Sequence, residues 1–285
     1  MKNYRKWPGY ILYVIVLAVL FLYICFPSDS VKQYVEFRIS RPAAGVEVAV
    51  GTLGLGFPPS VVINDVEFRY RRAESVNLER ITVSPAYLEL LRGVRSFRID
   101  GDAAGGKIQG SLAFPGSSGN SGNVSARFDF HELEIGSFHI LEAMGRGEAA
   151  GRMEGKIDYT GDLSGSGSGN AALDLRKCRI QLSPAPFGVK ELSFKEVQVV
   201  MELEQRRLRI SRFSLDGTQF SGTGSGTVRI SAPIERSRIN LSGEMSLHPP
   251  LLRAIGGMLP EKFTRKGGLP VRITGTLGRP GFSVR

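Results

Sequence analysis

Few residues in this chain are of the types that do covalent or metal chemistry. Among 285 residues there are three histidines, His131, His139 and His248, and two cysteines, Cys25 and Cys178. A zinc or iron centre needs His, Cys or carboxylates converging at short spacing. His131 and His139 lie across a strand-to-helix change and His248 is remote, so no such spacing arises. The cysteines form no C-x-x-C, and no serine occupies a G-x-S-x-G elbow with partners. Asp100 and Asp102 in RIDGDAAGG have the chemistry of an acid–base pair, but they read as turn residues between two strands. Asn123 and Asn240 open N-x-S sequons, which matter only in a eukaryotic secretory pathway.

Three glycine-rich stretches have the composition of phosphate-cradling loops: GLGFPPS from Gly54, GSGSGN at 165–170 and GTGSGT at 222–227. Such a loop follows a buried parallel strand and opens a helix. These instead run on into SVVINDVEF, AALDL and TVRIS, which alternate like strands. Glycines in that setting mark bulges, corners or close backbone approach. An assembled active site is therefore not expected, and neither a cofactor nor an enzyme activity is read from the sequence.

The elements that would position any binding surface begin with an apolar run. YILYVIVLAVLFLYICF, Tyr10 to Phe26, carries no charge, which suits a transmembrane helix. Tyr10, Ile11, Leu12, Val14, Leu17, Leu20, Phe21, Leu22 and Phe26 would face lipid. Lys2, Arg5 and Lys6 precede the run and Asp29 follows it, so the N-terminus is expected in the cytoplasm and the remainder on the far side. A cleaved signal peptide is the competing reading, but no small-x-small site follows the run. The expected organisation is a cytoplasmic N-terminus (1–9), an anchor (10–27) and a β-rich domain (28–285). A thiol in the bilayer and another far outside it would not pair, so no disulfide is expected.

Beyond a short amphipathic helix in SDSVKQYVEFRIS, the apolar period becomes two. Val46, Val48 and Val50 open the series, and Ile239, Leu241, Met245 and Leu247, then Val271, Ile273 and Leu277, close it. The clearest one-sided strands place Ile108, Leu112 and Phe114, then Phe128 and Phe130, then Val197, Val199, Met201 and Leu203 on apolar faces, a candidate groove. The phase slips near Asn64 and Asp65, again at Arg176 and Lys177, where a β-bulge would suit it, and again between Ile210 and Phe213. Short helices are expected in SPAYLELLRG, with Ser84 as cap and Gly93 as stop, in SFHILEAMG and in PPLLRAIGGML. GSSGNSGN, 116–123, is either a hairpin loop or a subdomain boundary. The fold class is mainly β, an antiparallel meander whose apolar face must close, pair or be covered.

Net charge is +10, and three of the cations precede the apolar run. The rest stays basic, which suits anionic lipid headgroups or an acidic protein partner as well as a merely solvated surface. Nucleic acid does not fit the far side of a membrane.

FPSDSVKQYVEFRIS and VEVAVGTLGLGFPPSVVINDVEFRY resemble the start of the type II secretion system protein N family, of the deltaproteobacterial type. Phe26, Pro27, Pro58, Pro59, Asp65 and Val66 carry the likeness, and Ser60 departs from it, standing where glycine is common. The C-terminal LPVRITGTLGRPGFSV is similar to the end of AsmA-type proteins, through Leu269, Ile273, Gly275, Thr276, Leu277 and Pro280. The resemblance implies a non-catalytic inner-membrane accessory of protein secretion, single-pass, with its bulk in the periplasm and other secretion proteins as partners. Its AsmA-like side implies an elongated, curved sheet, a groove or half-barrel, that holds phospholipid or lipid A-type acyl chains.

Overall fold

Each β-strand pairs with the next, so the whole sheet is written in chain order. The computed structural model describes residues 10, 13, 14, 17, 21, 23, 25–40, 46–70, 73–114, 123–138, 147–162, 166–182, 190–231, 234–249, 251–252 and 268–284. They form one open antiparallel sheet of fourteen strands. Its strands are β1 (Val46–Gly56), β2 (Ser60–Tyr70), β3 (Ala73–Pro85), β4 (Arg95–Ala103), β5 (Gly106–Phe114), β6 (Val124–Glu134) and β7 (Gly147–Gly161). They continue as β8 (Gly167–Leu182), β9 (Glu191–Glu204), β10 (Arg207–Gly217), β11 (Phe220–Arg229), β12 (Arg238–Leu247), β13 (Leu269–Thr276) and β14 (Arg279–Val284). Helices accompany them, among them α1 (Ser28–Ser40) and the short α2 (Tyr87–Leu91), and the described residues 10, 13, 14, 17, 21 and 23 of the N-terminal run are helical as well. At the usual strand spacing the sheet is roughly 60 Å across its strands.

Several local readings need correction. Asp100 and Asp102 lie inside β4, and the turn falls at Ala104 and Gly105. Ser84 and Pro85 end β3, so α2 has Ala86 as its N-cap, with no side-chain capping bond. Gly93, at φ 81°, does stop the chain there. The glycines of GTGSGT lie in the middle of β11, not at a corner. Of SFHILEAMG only the first residues are described, as part of a 3-10 turn, Ile135–Phe138, and most of PPLLRAIGGML lies outside the described residues. The same is true of 116–122, whose flanking strands β5 and β6 are hydrogen-bonded to each other from Lys107↔His131 to Ala113↔Ser125.

The register shows why alternation matters. One row runs Leu53–Ile63–Ile81–Gly101–Ile108–Phe130–Gly155–Leu173–Val199–Phe213 across ten strands. Its neighbour on the same face runs Ile99–Gly110–Phe128–Ile157–Ala171–Met201–Ile210. Side chains two apart share a face, so one side of the sheet is apolar throughout. The other carries cross-strand ion pairs such as Lys156–Asp129 at 3.3 Å and Arg127–Asp158 at 2.5 Å. Asp158 accordingly raises the Arg127 pKa, by its hydrogen bond first and its charge second. Exposed pairs like these contribute little to stability.

Period two is unforgiving, because one inserted residue would turn every later side chain to the wrong face. The chain inserts a residue and shifts its apolar phase together. Lys177, at φ 51°, is the extra residue between Leu175 and Cys178, and Glu132, at φ 53°, is its counterpart before Leu133. The register also slips between Ile210 and Phe213, and Asp65, at φ 55°, separates Ile63 from Val66. In each case the apolar residue moves on by three instead of two, and the greasy face continues unbroken.

The sheet has two lateral edges, and α1 seals one. Antiparallel to β1, it brings Glu36 to the Val50 N–H at 2.9 Å and Lys32 to the Gly51 carbonyl at 3.0 Å, while Tyr23 donates to the Gly56 carbonyl. Phe26 and Val31 pack on Val50, Leu53 and Val66, a buried cluster at this corner of the apolar face. Among the described residues no helix is long and apolar enough to cross a membrane. Of the predicted anchor, Ile11, Leu12, Leu20 and Leu22 lie outside the described residues; Tyr10, Val14, Leu17 and Phe21 are exposed.

Candidate functional site: an apolar cavity under the C-terminal strands

A flat sheet has no cavity. Here Val199, Ile210, Phe213, Leu215, Phe220, Leu241, Met245, Val271, Ile273 and Phe282 line a single hollow of about 550 Å³. They come from six consecutive strands, β9 to β14, so the sheet curls over its apolar face. Glu244 is the one charged residue along this wall, and its position in β12 turns its side chain to the opposite face.

Glycine makes the floor. Gly222, Gly224 and Gly226 alternate along β11 on the apolar face, opposite Leu215, Phe213 and Ile210, and Gly224 sits across from Gly243 of β12. A Cβ at Gly243 would come within 2.2 Å of the Thr223 carbonyl oxygen, and one at Gly226 within 2.3 Å of that of Asn240. Side chains there would push the strands apart, so their absence both permits the curl and leaves the space empty. Phe194 and Phe220, edge to face at 5.5 Å, pack at one end of the hollow.

All nine residues proposed from sequence for a groove fall on this apolar face, and none is fully buried. Only Val199 lines the cavity itself. Val197, Met201 and Leu203 adjoin it along β9, while Ile108, Leu112, Phe114, Phe128 and Phe130 lie on β5 and β6, farther along the sheet. Phe128 lies over Gly110, where a Cβ would meet its ring at 2.4 Å. The corner residues have structural places: Pro58 and Pro59 form the β1–β2 turn, Asp65 lies within β2 at φ 55°, and Val66 is buried.

Other side chains of chemical interest lie away from the cavity lining, and His139 falls outside the described residues. His248 bridges the Thr218 carbonyl and the Ser221 hydroxyl, each at 3.3 Å, and His131 is exposed on β6. Cys178 is buried, and burial raises its thiol pKa. A polar hollow on the other face, between Asp65, Glu79, Arg80, Asp102 and Lys107, mixes both charges. Among the described residues no three His, Cys, Asp or Glu side chains converge as metal ligands. No protein-family model, curated protein or solved structure matches this chain.

Proposed function

We propose that this protein is a non-catalytic, membrane-anchored module that holds acyl chains, of phospholipid or lipid A type, against its apolar face. The cavity carries this reading. Its wall is apolar over six strands and offers no convergent polar group to orient a reacting substrate, so shape and hydrophobic burial are what it has to give. A hydrocarbon chain suits such a wall, and the open side leaves room for a headgroup in water. The apolar run from Tyr10 to Phe26, with cations before it, supports a single-pass anchor in a bacterial inner membrane, N-terminus in the cytoplasm and sheet in the periplasm. The test is native mass spectrometry of the full chain released from mild detergent. Bound phospholipid that disappears in Leu241→Arg, with the β-sheet circular dichroism retained, is the expected result; a lipid-free wild-type chain would refute the reading.

A second reading, compatible with the first, is an accessory role in type II protein secretion, in contact with other components of that machine. It is favoured by the likeness around Phe26-Pro27 and Pro58-Pro59. Deleting the gene while leaving its neighbours intact should lower export of that system's substrates, and unchanged export would remove this role.

A further inference from the structure

In an antiparallel meander the odd-numbered strands all run toward one end of the sheet, so alternate turns gather there. The turn Phe57–Pro59 joins β1 to β2 at that end, and residues 86–94 join β3 to β4 beside it. The Tyr87 hydroxyl ties the two turns together by donating to the Pro59 carbonyl at 2.5 Å. Their apolar side chains point outward: Phe57 is 88% exposed, Leu91 85% and Leu88 75%. Large apolar residues exposed this fully and grouped this closely mark a contact surface.

The same end is rich in arginine. In the cross-strand register Glu204, Arg207, Arg229, Arg238, Thr276 and Arg279 form one row from β9 to β14, with Arg229 directly opposite both Arg207 and Arg238. Like charges directly opposed across strands destabilise a sheet. Arg92 and Arg95 are exposed next to the apolar tips, and Glu89, Asp162, Glu204 and Glu235 only partly offset the cations. The chain also leaves for its apolar N-terminal run from this end, because Tyr23 is bonded to Gly56, the last residue of β1.

From these three coincidences we infer that this end of the sheet docks on an anionic lipid bilayer. Phe57, Leu88 and Leu91 enter the headgroup layer and the arginine row lies over lipid phosphates. The occupant is a bilayer and not an acidic protein, since the apolar run emerges there and brings the tips to the membrane at no cost in diffusion. The inference rests on the anchored reading and adds an orientation: strands stand on the membrane by their turns.

The full chain, in a Cys25→Ser, Cys178→Ala background, is labelled with a fluorophore at Leu88→Cys or at Lys190→Cys, which lies toward the opposite end, and reconstituted in nanodiscs carrying headgroup-nitroxide lipid. Quenching is expected at position 88 and not at 190, stronger with phosphatidylglycerol than with phosphatidylcholine alone, and weakened by salt. Each arginine near an anionic surface is worth about fivefold, so R207Q/R229Q/R238Q should lower the docked-to-undocked ratio about a hundredfold at low salt. Equal quenching at the two positions, or quenching at 88 indifferent to lipid charge and to the triple substitution, would overturn the orientation. Alkaline extraction reports the anchor separately. If the chain resists extraction and position 88 stays unquenched, docking alone fails. If extraction releases the chain, the anchor fails, and flotation with phosphatidylglycerol vesicles then decides docking by itself.

Discussion

The Glu36 carboxylate accepts a hydrogen bond from the Val50 backbone N–H at 2.9 Å. That amide points out of an edge strand, where the next chain would otherwise pair. Together with Lys32 on the Gly51 carbonyl it makes α1 a guard against edge-to-edge association. Glu36→Ala should lower stability by about 1–3 kcal/mol, the cost of leaving a donor without its acceptor. It should also raise the rate of oligomer growth, measured by light scattering beside chemical denaturation.

The cavity floor predicts an intolerance to side chains. Gly243→Val would set a Cβ against the Thr223 carbonyl oxygen and against Gly224 Cα, at 2.2 and 2.9 Å in the present backbone. Overpacking of this kind costs about 1–3 kcal/mol. We expect a lower melting temperature and loss of bound lipid together. Gly54→Ala, which meets nothing within 4 Å, should leave both unchanged.

Lys177 sets the phase of β8. A β-branched residue is strained at φ 51°, so Lys177→Val should cost about 1–2 kcal/mol. Deleting Lys177 should do far more, since Cys178 and Ile180 would then turn to the polar face, and the deleted chain is expected in inclusion bodies.

Cys178 gives a dependence on pH. Its folded-state pKa is raised by burial, so above the unfolded-state value the folded chain holds a proton that the unfolded chain has released. The contribution to stability is complete below the unfolded pKa and is lost as pH rises toward the folded one. Denaturation of wild type and Cys178→Ala should therefore converge as pH is raised through the alkaline range. In the native state buried Cys178 should resist maleimide until the chain is denatured.

The sequence carried the sheet in its alternation, and three of the phase slips in its apolar residues. Those slips were legible because a large apolar side chain stood on each side: Leu175 then Cys178, Ile210 then Phe213, Ile63 then Val66. The slip at Glu132 bears the same mark, Phe130 then Leu133, but the apolar run was read only as far as Phe130, so the residue after the slip was not set against it. β7 escaped notice for a different reason. GEAAGRMEGKIDYTG puts glycine and alanine where a strand normally shows its apolar face, and the row is completed by neighbours such as Phe130 and Leu173. Of the cavity, Val199 was visible and Gly222, Gly224, Gly243 and Phe282 were not. A binding hollow is a property of what is missing, and GTGSGT reads as a loop until the partners of each glycine are known.

Strict chain order also makes the sheet a ruler. No strand between the edges depends on one distant in sequence, so adding or removing a hairpin changes the length by about 10 Å without disturbing the strands on either side. The span between the corner held by α1 and the far edge at Phe282 is thereby set by a count of hairpins, which a duplication or deletion can alter in one step.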